Sequence, residues 1–514
     1  MKTNKQLKHL VIATVTGAQF AFPAFATENA ATGTNGAVEI PAFAADGGNS
    51  TEAAEIKALK LQIDSLVKKV NALEQQRGPA EQAATIQNLD QQVRILQRQR
   101  ELDQDAAVAK AATAPKITLG QNGFSFSSAD SNFVTQIHGL VQADSRTFFH
   151  DGNINGNDGF LLRRARPIFT GTVFKNFDYN FTPDFGGSVV QIQDAYLNYR
   201  YAPEFQVQAG KFKSPVGLEQ LQSDPATSFN ERSLVTDLVP NRDLGIALKG
   251  DLLDGAASYT AGIFDGAPDY SGTTANASVQ DDKGFAGRLF FLPWKNTSVN
   301  ALRGLGFGVG GSYNVNHPST NTATGLTAAY TTDGQQKFFT YNSGVGASGG
   351  TWRVSPQAYY YYGPLSLLAE YVVDSQRVSL LTKKGKNSAD LQNNAWEVTG
   401  GWVLTGEDAS YSGVTPLHPF DPRANQWGAL QVVGRFAQLN VDRNAFSGGF
   451  ASSAKSADTA TAWSVGLNWY LNKNIRANLS YSHTTFDGFT GKASPGVIPA
   501  QAENVLFSRL QLSF

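Results

Sequence analysis

Clustered arginines and lysines are the residues of this sequence whose spacing points most directly to chemistry. Arg163, Arg164 and Arg166 lie close together, and Lys211 and Lys213 are separated by a single residue. A guanidinium group stays charged at physiological pH, and its planar fork of donors matches a phosphate or a carboxylate. These clusters predict binding of small anions if the fold turns the side chains towards water.

A long charged insert begins directly after the two lysines. Between Ser214 and Arg242 the alternation of apolar and polar residues stops. The insert carries Glu219, Asp224, Glu231, Arg232, Asp237 and Arg242. Because pore filters are built from charged groups, we expect a constriction loop over about 214–242.

The composition excludes several classes of protein. The chain has 514 residues, no cysteine and a formal net charge of −1. Without cysteine it has no disulfide framework, thiol nucleophile or cysteine-ligated metal. Beyond the N-terminal region no apolar run reaches the roughly 18 residues of a membrane-spanning helix.

Motifs for catalysis, cofactors and metals are missing from the sequence. The six histidines are scattered, at His9, His138, His150, His317, His418 and His483. None has a serine at a recognised spacing, and neither a phosphate loop nor a metal-ligand cluster is present. We therefore expect no enzyme, no cofactor, no metal site and no nucleic-acid partner.

The N-terminal 132 residues predict export followed by a helical segment. Residues 1–26 have a basic start, an apolar core and an Ala-Phe-Ala cleavage motif, as a signal peptide does. Residues 27–51 predict a flexible linker, residues 52–105 a periplasmic coiled coil, and residues 106–132 a second linker. The heptad positions are Ile56, Leu59, Ile63, Leu66, Val70 and Leu73, then Ile86, Leu89, Val93 and Leu96 in a shifted register. Taken alone, these residues favour two helices, and a single amphipathic helix packed on another domain is the alternative.

Alternation with a period of two dominates residues 133–514. Val465 and Leu467, for example, alternate with Gly466 and Asn468. Long series of strands with one apolar and one polar face fit a transmembrane β-barrel with lipid outside and water inside. A soluble sandwich also alternates, but the length, the aromatic residues near strand ends and the terminal Phe514 favour the barrel.

Turn residues predict about 16 antiparallel strands. Short connections mostly alternate with long polar ones, as expected for a barrel with one end of tight turns and one of long loops. The long ones lie near 150–158, 215–242, 266–282, 317–349, 376–392, 441–460 and 486–501. Residues 406–427 form a long segment where a tight turn is expected. A strand-like stretch at 337–341 keeps 18 strands open as an alternative.

Strand parity predicts a cationic lumen. Since Leu161, Ala165 and Phe169 face lipid, Arg164 and Arg166 face inwards. The same test places inside Arg146, Arg200, Arg288, Arg353, Arg435, Arg476 and Arg509, with Asp144, Glu370, Asp374 and Glu397 as the acids. The alternative is that these arginines only brace the wall by pairing with carboxylates.

Lys211 and Lys213 do not fit this parity. Val207 and Ala209 face lipid, and simple alternation would carry both lysines outward. Either the strand bulges at Gly210, or the chain turns inward above the membrane. The alternative is a pair of solvated loop lysines.

Five motifs, taken in order, resemble the phosphate-selective porin O/P family. They lie at 162–166, 193–196, 210–215, 231–233 and 396–407, and the resemblance covers roughly 130–514. It implies a 16-stranded outer-membrane barrel, usually a homotrimer, whose third loop narrows the lumen. It also implies anion-binding or pore-lining roles for Arg163, Arg164, Arg166, Asp194, Lys211 and Lys213, with Glu219, Glu231, Arg232 and Arg242 in the constriction loop.

Residues and resemblance together predict an outer-membrane porin for passive diffusion of anions, with inorganic phosphate or polyphosphate as the expected ion. Membrane lipid is the other expected partner. A general porin for carboxylates or sugars is an alternative, for which Tyr359–Tyr362 is the only aromatic candidate. A second alternative is a structural tether that reaches peptidoglycan through the coiled coil.

Overall fold

A computed structural model describes residues 60–69, 72, 79–149, 156–187, 189–266, 283–316, 329–382, 385–492 and 501–514. The chain divides into two units, Met1–Leu102 and Asp103–Phe514. The predicted signal peptide (1–26) and first linker (27–51) lie outside the described residues.

The predicted coiled-coil segment is helical where it is described. Residues 60–69 are helical, and a helix of 35 residues, Pro79–Thr113, follows. Proline fits a helix start because its missing N–H would have no intrahelical partner there. Ile86, Val93 and Leu96 are exposed in the single chain, so pairing of this helix into a coiled coil stays a prediction. Among the described residues, no helix is long and apolar enough to cross a membrane.

Sixteen antiparallel strands close into a barrel, which confirms the predicted fold class. The strands of the described chain are β1 (Lys116–Gly120), β2 (Gly123–Ser127), β3 (Val134–Phe148), β4 (Gly159–Val173), β5 (Phe177–Asp184), β6 (Gln191–Ala202), β7 (Phe205–Lys213), β8 (Arg242–Leu252), β9 (Ala257–Phe264), β10 (Gly284–Phe291), β11 (Leu305–Asn316), β12 (Ala329–Thr331), β13 (Lys337–Thr340), β14 (Val345–Tyr362), β15 (Leu365–Thr382), β16 (Gly385–Val403), β17 (Ala409–Ser410), β18 (Gly413–Val414), β19 (Ala429–Asn440), β20 (Thr459–Tyr470), β21 (Ile475–Asp487) and β22 (Glu503–Ser513). Strands β3–β11, β14–β16 and β19–β22 form the barrel, and β22 pairs with β3 to close it.

Side-chain alternation sets the two faces of the wall. In β20 the apolar Trp463 and Val465 are exposed, whereas Ser464 between them is buried in the lumen. Tight turns at one end keep neighbouring strands in register. Two of these turns place non-glycine pairs at positive φ, Phe174-Lys175 and Leu253-Asp254. Such turns match the right-handed twist of the strands they join.

The wall differs in height around the barrel. Strands β14, β15 and β16 have 18, 18 and 19 residues, whereas β9 and β10 have 8 each. Consequently the polar stretch at 376–392 is paired strand rather than the predicted long loop, with pairing continuous from Gln376↔Leu391 to Thr382↔Gly385. Its polar composition resembles that of a loop, but exposed residues such as Arg377 and Asp390 alternate with the buried Val378 and Leu391.

Residues 106–132 are structured rather than a linker. The long helix continues to Thr113, and the β1–β2 hairpin then pairs with the start of β3. Ile117 and Leu119 lie opposite Phe126 and Phe124, so the hairpin has one apolar face. The alternation of apolar and polar residues on both sides of residues 121–122 indicates this hairpin. The glycines and serines of the segment make it resemble a linker instead.

The strand-like stretch near 337–341 does not enter the barrel wall. Strand β13 pairs with β12 in a separate two-stranded sheet, so the barrel keeps 16 strands. Tyr330, Phe338 and Phe339 of this hairpin are at most 1% exposed. They pack with Leu234 and Leu238 from the segment after β7, forming an apolar core inside the barrel.

Candidate functional site

Residues 214–241, here called the inner loop, leave the end of β7 and fold into the lumen. The backbone carbonyl of Val216 accepts a hydrogen bond from Gln357 of β14 at 2.8 Å. Glu370 of β15 accepts hydrogen bonds from the backbone N–H groups of Leu218 at 2.9 Å and Glu219 at 3.1 Å. The inner loop therefore reaches across the barrel at the position where the sequence predicts a constriction. Its short helical turns are Leu218–Leu221, Asp224–Ala226 and Leu234–Leu238.

A second segment meets the inner loop from the end with short turns. We call residues 404–428 the opposing connection, since they link β16 to β19 and fold inward with β17 and β18. Tyr411 Oη donates to the carbonyl of Leu218 at 2.6 Å, and Gln222 Nε2 donates to the carbonyl of Tyr411 at 2.9 Å. A small cavity of about 20 Å³ lies near Gln222 and Tyr361. The unusual length of 406–427 thus has a structural role inside the barrel.

The tyrosine run Tyr359–Tyr362 is divided between the two faces of the wall. Tyr362 is 48% exposed and stacks with Tyr360. Tyr359 stacks on Tyr411 with 5.5 Å between ring centroids. The inner rings therefore pack against protein and do not form an open aromatic track for a sugar.

The tip of the β12–β13 hairpin supplies a third inward element. Asp333 Oδ2 accepts hydrogen bonds from Arg435 at 2.8 Å, Ser464 at 3.0 Å and Ser482 at 2.8 Å. Glu503 of β22 accepts from Thr332 Oγ1 at 2.8 Å. These bonds fix the hairpin across the mouth that carries the long loops.

A cavity of about 310 Å³ lies between the inner loop, β4 and this hairpin. Its charged lining is Arg163, Arg164, Arg166, Arg232 and Arg242 with Asp224, Glu231 and Asp237. Amides and hydroxyls complete it, from Gln191, Gln193, Gln220, Ser233, Thr236, Asn241, Thr331, Thr332 and Gln335. Five guanidinium groups thus face three carboxyl groups. This local excess of positive charge suits a small anion.

Asp224 is surrounded by three of these arginines. Its Oδ1 lies 2.7 Å from Arg232 Nη1 and 3.3 Å from Arg164 Nη2, and its Oδ2 contacts Arg166 Nη1. Burial alone would raise the pKa of Asp224. Attraction to the arginines outweighs burial and holds the pKa of this loop carboxyl well below its usual range.

Glu231, further along the inner loop, is also surrounded by arginines. Arg163 binds both its carboxylate oxygens, at 2.6 Å and 2.9 Å, and Arg146 donates to Oε1 at 2.9 Å. Arg509 Nη2 lies 4.0 Å from the same oxygen. Burial raises the pKa of Glu231, but these arginines reverse the shift and keep the pKa below its usual range.

Arg242 of the cavity and three predicted lumen arginines pair with carboxylates that do not line the cavity. The pairs are Arg242–Asp194 at 3.1 Å, Arg353–Asp374 at 3.1 Å, Arg435–Glu219 at 3.2 Å and Arg509–Asp144 at 2.6 Å. Both members of the last pair have fully buried side chains. These arginines therefore brace the wall and the inner loop.

Three of the predicted arginines lie away from the cavity. Arg288 donates to a β14 side chain at 2.8 Å, and Arg476 donates to the carbonyl of Thr227 in the inner loop at 2.9 Å. Arg200 is about half exposed and pairs with Asp178 at 2.8 Å. It lies near the short turn after β4, since it also donates to that turn's backbone.

Lys211 and Lys213 lie in different surroundings. Lys213 is the last residue of β7, and its Nζ donates to the carbonyl of Gln222 at 2.8 Å, so it reaches the inner loop. Lys211 is 2% exposed, although Ala209 two residues earlier is exposed, and it is absent from the cavity lining. Gly210 has φ +128° and the register stays regular on both sides of it, so the strand has no bulge there, yet protein covers the Lys211 side chain.

Strand parity predicts more arginines than carboxylates in the lumen, because it considers only residues in strands. Loops and strand ends add acids to the lumen, chiefly Asp184, Asp224, Glu231 and Asp333. Asp224 lies within the charged insert, so its charge could have identified it as a partner of the arginines. Asp333 had no local signal, because only the folding of its hairpin brings it to Arg435. Wall bracing thus accounts for much of the arginine set, and it includes two cavity arginines, since Arg166 also pairs with Asp184 and Arg242 pairs with Asp194.

Asp237 is the third acid of the cavity, and it behaves differently. Its Oδ2 accepts a hydrogen bond from the backbone of Thr331 at 2.8 Å, and no arginine ion pair to it is found in the described part of the chain. Burial raises the pKa of this loop carboxyl to about 8. Asp237 is therefore mostly neutral at pH 7, which increases the positive excess of the cavity.

A closed 16-stranded barrel with a charged loop folded into its lumen defines a porin of the outer membrane. The family of phosphate-selective porins O and P matches residues 135–514, and the chain belongs to this family. It is 22% identical over 409 residues to Porin O of Pseudomonas aeruginosa, covering 72% of this chain and 87% of that protein. As a porin it is a channel rather than an enzyme.

Two solved structures align with about three quarters of this chain. The outer membrane channel DcaP of Acinetobacter baumannii aligns with 76% of this chain and 99% of its own, at 12% identity and a TM-score of 0.47. An anion-selective porin from Comamonas acidovorans aligns with 74% of this chain and 100% of its own, at 11% identity and a TM-score of 0.46.

Proposed function

We propose that this porin passes small anions by passive diffusion and that phosphate is the ion its cavity fits best. The observation that carries the proposal is the cavity of about 310 Å³ in which five arginines face three carboxyl groups. Guanidinium forks bind phosphate oxygens in pairs, which a spherical chloride cannot reproduce. Polyphosphate and carboxylates share this oxyanion chemistry to a lesser degree.

The number and pairing of the cations favour transit over capture. One cation 4 Å from an anion contributes about 4 kcal/mol near a protein surface before desolvation, so several unpaired cations would retain the ion. Conduction needs several sites of moderate strength. Arg163, Arg164, Arg166 and Arg232 are each partly neutralised by Asp224 or Glu231, which supports moderate binding.

Phosphate block of chloride current tests the proposal. Single channels in a planar bilayer bathed in chloride should lose current when millimolar phosphate is added, because phosphate occupies the cavity longer than chloride. Equal concentrations of sulfate and succinate compare a second tetrahedral anion with a carboxylate. Loss of current to succinate but not to phosphate would contradict the choice of phosphate.

Assembly and placement complete the proposal. The barrel lies in the outer membrane, and the long helix with its exposed heptad residues is assigned to the periplasm, where it joins the copies of a homotrimer. Ile86 is 58% exposed and Leu96 45% exposed in the single chain, which supports burial between copies. Contact of this helix with peptidoglycan belongs to the same proposal and is tested by deletion below.

A further inference from the structure

Two carboxylates of the inner loop occupy positions that a permeating anion would be expected to take. Asp224 is contacted by Arg164, Arg166 and Arg232. Both its side chain and that of Arg164 are less than a tenth exposed. Each of these three arginines also lines the cavity. The best cationic position of the cavity is thus already filled by a group with oxyanion chemistry.

Glu231 repeats the arrangement with different partners. Arg163 binds both oxygens of its carboxylate, and Arg146 binds one of them at 2.9 Å. The Glu231 side chain is 4% exposed, whereas that of Arg163 is 30% exposed. Arg163 therefore offers a face to the cavity while it holds the glutamate.

From this geometry we infer that Asp224 and Glu231 act as built-in anions, which a permeating anion partly displaces as it moves along the arginines. The inference rests on the proposed function, because it concerns how the same cavity releases its anion. A carboxylate and a phosphate accept the same paired N–H donors, so exchange between them keeps each guanidinium bonded. The tethered group returns when the ion leaves.

The remaining contacts of the arginines make such exchange practical. Arg232 stays fixed by the carbonyls of Glu219 at 3.1 Å and Gln222 at 2.8 Å when Asp224 moves away. Arg164 keeps Gln142 at 2.7 Å through Nη1, and its Nε has no hydrogen-bond partner among the described residues. The binding groups are therefore held in place independently of the carboxylate they carry.

Removing the negative charge of Asp224 should make the cavity bind phosphate more tightly and release it more slowly. In Asp224→Asn the side chain keeps its size, but the three arginines lose their counter-charge and bind phosphate more tightly. We expect half-block of the chloride current at phosphate concentrations about tenfold lower than in the wild type, a change of about 1.4 kcal/mol in binding. Glu231→Gln should shift the block in the same direction.

Asp374→Asn is the matched control. It also removes a buried lumen carboxylate that pairs with one arginine, Arg353, but neither residue lines the cavity. Its phosphate block should stay at the wild-type concentration. Asp224→Glu restores the charge and should return the block towards the wild type, which a purely structural role of residue 224 would not require.

The outcomes separate this inference from the proposed function. If the wild type is blocked by phosphate but Asp224→Asn and Glu231→Gln block no more tightly than Asp374→Asn, the inference is wrong and the proposed function stands. If phosphate does not block the wild type, the proposed function fails and the inference with it. Should Asp224→Asn not insert into bilayers, Glu231→Gln alone decides, since it changes a separate arginine cluster.

Discussion

At the scale of single residues, charge pairing divides the lumen arginines into two groups. Arg509 and Asp144 are fully buried partners on adjacent strands and never face the cavity. Arg164 and Arg232 pair with a loop carboxylate and also line the cavity. The first group stabilises the wall, and the second is available to an ion.

The wall pair predicts a large effect on stability. Asp144→Asn leaves the buried Arg509 without its close carboxylate partner, with Glu231 the remaining carboxylate at 4.0 Å, and breaking such a pair costs about 3–5 kcal/mol. Unfolding of the purified barrel in denaturant measures this loss. Asp390→Asn is the control, because its pair with Arg377 is exposed and such pairs contribute about 0–1 kcal/mol. Equal stability of the two variants would show that the buried pair is not needed.

Asp237 predicts a pH dependence of selectivity. Its pKa of about 8 means that the carboxyl is mostly neutral at pH 7 and mostly charged at pH 9. Anion preference should fall by about twofold over this interval as the cavity gains a negative charge. The stability linked to the neutral carboxyl is likewise lost as pH rises through about 8. Reversal potentials at both pH values measure the effect, and Asp237→Asn should remove most of it.

At the scale of elements, three segments fill the barrel. The inner loop contacts the opposing connection at Leu218 and packs with the β12–β13 hairpin at Leu234. Only the first was expected inside from the sequence, because its charges interrupt a clear strand pattern. The other two are unusual in sequence, at 337–341 and 406–427. Local sequence, however, does not show whether a connection folds into the lumen or away from it.

The opposing connection predicts a change in conductance. Deleting residues 409–414 removes the β17–β18 hairpin together with Tyr411, which stacks on Tyr359 and donates to the inner loop. We expect single-channel conductance to rise by about twofold or more as the short-turn mouth widens. Tyr362→Ala, which removes an exposed outer ring, is the control. Unchanged conductance in the deletion would mean that ions pass elsewhere.

The sequence predicts which face of a strand is buried, but it does not predict which side chains meet across the lumen. Two-residue alternation reports which face of a strand meets lipid, and it placed Arg164, Arg166 and Arg435 inside correctly. Ion pairing across the lumen depends on where the loops fold. The ion pairs of Asp224 with Arg166 and of Asp333 with Arg435 therefore could not be derived from the sequence. Lys211 shows the limit of parity, because simple alternation predicts an outward side chain whereas the residue is 2% exposed.

At the scale of the whole molecule, the chain divides at Leu102 within the long helix, and the barrel belongs to the second unit. The heptad residues favour pairing between copies, whereas conduction depends on the barrel alone. The two properties should therefore separate when the helical segment is removed.

Deletion of residues 52–105 tests that separation. Single-channel conductance should stay at the wild-type value, because the described residues that line the cavity all lie between Arg163 and Gln335. Light scattering in detergent should show three copies for the full chain and a weaker assembly for the deletion. Cells carrying the deletion should release more periplasmic protein if the helix also binds peptidoglycan. Altered conductance would show that the helix shapes the pore.

The central claim is that the lumen prefers anions because of the arginines at the cavity. The reversal potential of single channels under a potassium chloride gradient tests it most directly. We expect chloride to be more permeant than potassium in the wild type, and the double variant Arg164→Gln, Arg232→Gln to move the ratio towards potassium. Arg377→Gln, an exposed arginine outside the cavity, should leave it unchanged. A wild-type channel that prefers potassium would contradict the account.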